Sequence, residues 1–279
     1  MNVHHVAIDV CREAIARRYV AAVGGIIFLS QIGLLLALDI DVVEGVIVST
    51  KLFGDQVKGG EIGKNAAEMM GPVLRALVYA VFHLGTLFGI VATSDIAVRL
   101  LSPGRVELSL SLPIRRWELA TGIYFGVLVL AFAGMVFAVG GFSLVLFWKA
   151  EFSSIAPFIG AVAAAVGFAT VYAVMLLAST IIRSQALASG AGLGLYITAL
   201  VTSDRVEFAS WFEHGWPRDL ASVIVAPLPR LQTLVSIGAD MATSETWKLA
   251  ELAGVTAGAL LFAAACVVGA STVVWWRDY

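Results

Sequence analysis

Six stretches of the chain run without Asp, Glu, Lys or Arg for long enough to cross a bilayer, which takes ~20 residues of helix. They cover 19–38, 76–94, 119–148, 152–182, 184–203 and 252–276. Lipid satisfies no backbone hydrogen bonds, so such stretches must be helices or the strands of a closed barrel. None shows the period-2 alternation of barrel strands, which leaves helices. Composition agrees. Charged residues make up 14% of the 279 residues and the AVILMFWYC set 59%, with a mean hydropathy of +0.91. Soluble domains carry ~25% charged residues. So few charges could not cover a water-soluble surface of this size. A soluble enzyme, a disordered chain and a secreted disulfide scaffold are poor fits. Cys11 and Cys266 lie too far apart in sequence to form a disulfide framework or a CxxC metal site. The expected fold is all-α: one polytopic transmembrane domain, 1–279, with six spans.

The third and fourth stretches exceed one span, and Gly140-Gly141 and Pro157 are the expected bends. Only 149–151 separates the two, so they should be antiparallel neighbours. Trp117, Trp148, Trp247, Trp275 and Trp276 mark helix ends, where indole prefers the headgroup layer. Orientation follows from the density of basic residues. The N-terminus, 95–118, Arg183 and the C-terminus carry nine arginines in a short total length. The opposite side spreads nine basic residues among fourteen acids. By the positive-inside rule the first group is cytoplasmic, and both termini with it. Arg17-Arg18 precede the first span as in a signal peptide, but its apolar core is too long, so it is expected to be retained.

Outside the spans, residues 2–18 read as an amphipathic interfacial helix. Val3, Val6, Val10 and Ala14 recur at helical spacing, and Glu13 and Arg17 form an i,i+4 pair. The acidic segment 39–72 is expected outside. Its Gly59-Gly60-Glu61-Ile62-Gly63-Lys64-Asn65 has the wrong glycine spacing for a phosphate-binding loop, and Asn follows the lysine where Ser or Thr is needed. The second external segment, 204–251, has apolar residues at 228, 231, 234 and 235. This spacing predicts one or two short helices lying on the outer leaflet or dipping into it.

His83 is the one histidine within a span, beside Gly85, Thr86 and Gly89. An intramembrane titratable group invites a functional reading, although a neutral histidine bonded to a neighbouring helix is common. His4, His5 and His214 are too scattered to hold a metal. No Gly-x-Ser-x-Gly elbow, Ser-His pair or paired carboxylates fall in the spans, so no catalytic residue is assigned. Small residues at Gly85/Gly89, Gly122/Gly126, Ala186/Gly190/Gly194 and Gly254/Gly258 each share a helical face, which permits close helix approach.

The segment 94–118 carries Leu101, Leu108 and Leu112, a Pro103-Gly104 break and an Arg115-Arg116 exit. A solvated loop needs no such leucines, so something must cover them. Its later part contains Leu110-Ser111-Leu112-Pro113-Ile114-Arg115-Arg116-Trp117-Glu118-Leu119-Ala120-Thr121-Gly122. This run resembles the loop between the second and third spans of type-2 ABC transporter permeases, and the correspondence falls on Glu107, Leu112, Pro113, Ile114, Arg116, Trp117 and Gly122. The resemblance implies a permease subunit, an exporter in the inner (plasma) membrane of a prokaryote. It implies a cytoplasmic coupling helix docking on a separate ABC ATPase that holds ATP and Mg, with no cofactor or nucleic acid bound by this chain. The expected coupling residues are Arg99, Leu101, Arg105, Glu107, Leu108, Leu112, Pro113, Arg115 and Arg116, with Arg115 and Arg116 anchored at lipid headgroups. A second permease, identical or related, should pair through the second and fifth spans around Gly85/Gly89 and Gly190/Gly194. His83, Thr86, Thr93, Tyr196 and Thr198 are then the polar groups expected to face a pathway. An ATP-independent channel, carrier or scaffold is the alternative.

Overall fold

The structure, a computed structural model, describes residues 3–16, 19–43, 46–52, 55–56, 66–102, 104, 115–150, 154–212, 215–243 and 249–276. Helices dominate. In chain order they are α1 (Val3–Ala16), α2 (Tyr19–Ala37), α3 (Ala66–Leu100), α4 (Arg116–Ala150), α5 (Ala156–Ile182), α6 (Gln185–Val201), α7 (Arg205–Ser210), α8 (Trp216–Val225), α9 (Leu231–Thr243) and α10 (Leu249–Trp276). Between α2 and α3 lie three short strands, β1 (Leu38–Val43), β2 (Val46–Leu52) and β3 (Asp55–Gln56). They form an antiparallel sheet in the order β1-β2-β3, with Leu38 opposite Leu52 and a register shift at Asp41/Val42. The helical architecture is as expected, with this small sheet in addition. Its sequence cause is plain: Leu38-Asp39-Ile40-Asp41-Val42 alternates apolar and acidic residues, the period of a strand.

Four helices among the described residues are long and apolar enough to cross a bilayer: the α3 stretch Gly71–Leu100, the α4 stretch Arg116–Lys149, the α5 stretch Pro157–Ile182, and α10. The paired α1 and α2, bent by 66°, would make a fifth. At 17 residues, α6 is shorter. Its length of ~26 Å falls a little short of a ~30 Å hydrocarbon layer.

The core forms around α5, which touches α3, α4, α6, α9 and α10. Glycines and alanines let these helices approach closely. A Cβ on Gly160 would stand 2.7 Å from Val78, and one on Gly167 the same distance from Phe82. Phe82, Phe168, Tyr172 and Leu176 are fully buried between the elements so joined. Pro157 sits in the first turn of α5, where its missing N–H costs nothing, so it starts this helix and does not bend it. Gly140-Gly141 likewise lies inside an unbroken α4, where Gly141 makes room for Gln31 of α2. The Gln31 amide donates to the carbonyls of Phe137 and Ala138 at 3.2 and 3.3 Å.

The expected antiparallel α4–α5 pair is present. Tyr124, early in α4, donates to the Ala169 carbonyl at 3.1 Å, and Leu146 near the end of α4 shares a crevice with Pro157. Related contacts join Ser94 to Gln185, Arg116 to the Trp275 carbonyl, and Gly122 to Val6. One end of the bundle thereby collects α1, the ends of α3 and α10, and the starts of α4 and α6.

The amphipathic helix α1 forms as its spacing requires, with Val6, Val10 and Ala14 buried. That face is turned to protein. Gly122 and Gly126 of α4 receive Val6 and Val10, and added Cβ atoms would stand 2.5 and 2.7 Å from theirs. The Cys11 thiol also points at the Gly126 carbonyl, at 3.7 Å. The described residues between 204 and 243 form three helices where one or two were expected. Of these, α9 packs into the bundle: Leu231, Leu234 and Val235 are fully buried against α3, α5 and α6. Trp117, Trp148, Trp275 and Trp276 stand exposed at helix ends, as their sequence positions predict.

Candidate functional site

Two regions carry the residues singled out by sequence: the segment around 95–118, and the seam between α3 and α6.

In the first, α3 ends with Asp95 buried and Arg99 exposed, joined one helical turn apart at 3.1 Å. An i,i+4 acid–base pair in this order supports the last turn, and the arginine also suits a helix C-terminus. Leu101 follows, and its side chain is fully buried within the bundle. It belongs to the chain's own core, which corrects its placement on a docking surface. Arg105, Glu107, Leu108, Leu112 and Pro113 lie outside the described residues. The Arg115 backbone N–H donates to the Glu118 carboxylate at 2.9 Å. Glu118 is the third residue of α4, so this is one half of a capping box and fixes where α4 begins. The Arg116 guanidinium donates to the Trp275 carbonyl at 3.1 Å and ties the start of α4 to the end of α10. Arg115 is exposed and Arg116 half-buried.

In the second region, His83 of α3 and Tyr196 of α6 meet, with imidazole Nδ1 and the phenol oxygen 2.5 Å apart. Tyr79 stacks on the imidazole with ring centres at 5.9 Å, and Phe82 presents its edge. The imidazole is thus held among aromatic rings. One further bond crosses the same seam, from the Gln185 amide to the Ser94 hydroxyl at 3.1 Å. Thr86 and Thr93 are buried, and the Thr93 hydroxyl donates to the Gly89 carbonyl at 2.7 Å. Neither opens onto a surface. Thr198 is exposed.

The glycines divide in two. A Cβ on Gly89 would collide with the Phe168 ring, and one on Gly85 would meet Met135 at 3.5 Å. Gly89 thus serves packing inside the chain, while half-buried Gly85 has room for a Cβ. Gly190 and Gly194 have nothing within 4 Å of an added Cβ, and they lie on the outward face of α6 with Leu193 and Ile197. Of the expected pathway and interface residues, the structure brings His83 and Tyr196 together and leaves Gly190, Gly194 and Thr198 on the periphery.

Three polar contacts escaped sequence reasoning. Gln31 was legible as a lone amide in an apolar span, and Asp95 as an acid four residues before Arg99. The Arg75–Asp240 ion pair, which pins α9 to α3, spans 165 residues and leaves no local signal. Among the described residues, no group of three His, Cys, Asp or Glu side chains could hold a metal ion.

Fold and site together define a helix-dominated membrane protein with a polar pair inside its bundle. No protein-family model matches the chain, and no curated protein matches it in sequence.

Proposed function

We propose that the chain is the membrane-spanning permease subunit of an ATP-binding-cassette exporter, working with a separate cytoplasmic ATPase. The observation that carries this reading is the run from Glu107 to Gly122, with its leucines, Pro113-Ile114, Arg116, Trp117 and Gly122. Gly122 has a structural use consistent with it: the glycine seats α1 against α4 beside the proposed contact. The chain's phosphate-loop-like stretch fails the spacing such a loop needs, so the energy for transport has to arrive through a protein contact.

In this reading α2 and α6 join the four long helices to make six spans. The end that gathers α1, the 95–118 segment and the C-terminus faces the cytoplasm of a prokaryotic cell, and the strands and α7–α9 face outward. Leu108 and Leu112 dock on the ATPase, with Arg105 and Glu107 at the rim. ATP and Mg bind to that partner, and its closure pushes the segment. Because α4 begins at a fixed cap and holds both α1 and α10, the push moves three helices together. Two bundle arrangements with different partner contacts are what coupling requires. A second permease, identical or related, completes the transporter. With Gly89 committed internally, the outward face of α6 around Gly190 and Gly194 is the surface assigned to it in this reading.

One observation favours the ATP-independent alternative of a channel, carrier or scaffold. Leu101, the first leucine of the segment, rests on the chain's own bundle. Affinity purification of the tagged chain from its native membrane separates the two. The transporter reading expects a stoichiometric protein with Walker motifs, and a preparation free of any ATPase supports the alternative. Cysteines at positions 60 and 105, in a chain lacking Cys11 and Cys266, test the orientation. A membrane-impermeant maleimide outside intact cells should label 60 and spare 105, and the reverse pattern inverts the assignment.

A further inference from the structure

An open groove of about 620 Å³ runs between the first half of α4 and the second half of α10. Its volume falls within the 300–1,000 Å³ usual for small-molecule sites. Four side-chain hydroxyls line it, and all four are committed elsewhere. Thr121 donates to the Trp117 carbonyl at 2.8 Å, Ser271 to Val267 at 2.9 Å, Thr272 to Gly269 at 2.7 Å, and Tyr124 inward to Ala169 at 3.1 Å. The walls therefore offer a guest hydrocarbon contact and no hydroxyl donor, which suits an alkyl chain and not a sugar or peptide.

One end of the groove differs. Trp117, Trp275 and Trp276 stand there, all exposed, and indole marks the headgroup depth of a membrane. Next to Trp117 in the chain come Arg115 and Arg116, at the N-terminus of a 35-residue helix whose dipole adds positive potential, with the Arg116 guanidinium donating to the Trp275 carbonyl at this end of the groove. Glu118, the acid of that turn, has its carboxylate turned to the Arg115 backbone N–H. Apolar walls thus lead to an aromatic end beside which two arginines stand in the chain. We infer that the groove holds an acyl chain of an anionic phospholipid whose phosphate rests at Arg115 and Arg116.

A second copy of the chain fits less well. Two-fold symmetry about the membrane normal would keep both Arg115-Arg116 pairs at the same depth along the shared interface, where like charges repel. The inference stands on the groove and its rim and does not draw on the transporter reading.

Native mass spectrometry tests it, with the purified chain offered phosphatidylglycerol and phosphatidylcholine of matched acyl chains. The wild-type chain should retain one phosphatidylglycerol, preferred roughly fivefold for each arginine that reaches the phosphate. Replacing both arginines (Arg115→Gln, Arg116→Gln) should bring the preference near one while lipid is still retained. Ala264 is an exposed residue of the groove wall, so Ala264→Phe should fill the groove and lower retention of both lipids about tenfold. Ala80→Phe, at an exposed position of α3, a helix that lines no part of the groove, should retain lipid as the parent does. Equal retention of the two lipids by the wild-type chain overturns the inference. So does undiminished retention by Ala264→Phe, or a change in its oligomeric state, which would assign the groove to a second copy. The double arginine variant decides the matter if Ala264→Phe fails to fold.

Discussion

Helices α5 and α10 are nearly equal in hydropathy, 2.2 against 2.1, yet 67% of an apolar 18-residue window of α5 is buried and only 11% of the matching window of α10. Hydropathy reports how readily a residue leaves water, and lipid and protein interior are alike on that scale. What separates the two helices is where their small residues meet partners. Around α5, Ala161, Ala163, Ala164, Gly167, Ala169 and Ala173 are all buried, and neighbours close in on several sides. On α10 the buried positions are Ala259, Ala263, Ala270 and Val274, a single stripe, while Gly254 and Gly258 face open space. A glycine pair in a sequence permits close approach without naming a partner.

The sharpest way to break this contrast is to cut large side chains on each helix. Phe168 is fully buried on α5, and Phe168→Ala should cost about 3–5 kcal/mol of stability, read from the thermal unfolding of the purified protein. Filling a tight glycine comes next. Gly126→Leu should drive α1 off α4 and cost ~1–3 kcal/mol by overpacking. Burial pushes the Cys11 thiol up, so its alkylation at neutral pH should be slow in the parent and quicker as pH rises. In a Cys266→Ala background, Gly126→Leu should speed that reaction, and an unchanged rate would deny that α1 is held by these glycines. The Arg75–Asp240 pair is about half-exposed on both sides, so Arg75→Gln should cost no more than ~1 kcal/mol. Smallest of all, Leu261→Ala on the outward side of α10 should fall within ~0.5 kcal/mol, since that side chain is 72% exposed. A large loss there, or a small one at Phe168, would reverse the roles of the two helices.

The same physics explains what could be read in advance. Apolar runs locate long helices because burying unpaired backbone in lipid is so costly, and α3, α4, α5 and α10 were legible for that reason. The face of α1 was legible from the positions of Val6, Val10 and Ala14, though its partner was not. The strands had a signal, the alternation of Leu38-Asp39-Ile40-Asp41-Val42, but the density of acids there reads more readily as a solvated loop. For the site, His83 and Tyr196 stood out as polar groups in apolar surroundings. Their hydrogen bond joins residues 113 apart, and no periodicity encodes such a pairing. Leu101 shows the opposite difficulty. It shares a leucine-rich segment with Leu108 and Leu112, but burial near a helix end depends on which way a side chain leaves the last turn, and Leu101 turns inward.

The functional account rests on residues 105–114 carrying the contact to an ATPase, and one substitution addresses it directly. Burying a leucine at a protein contact is worth ~1.5–3 kcal/mol. Leu108→Asp should therefore lower ATPase recovery on the tagged chain by roughly tenfold or more and abolish transport. The purified bundle should keep the parent's size-exclusion profile and unfolding temperature. Undiminished ATPase recovery with transport intact would contradict the account and make the segment a connector between α3 and α4.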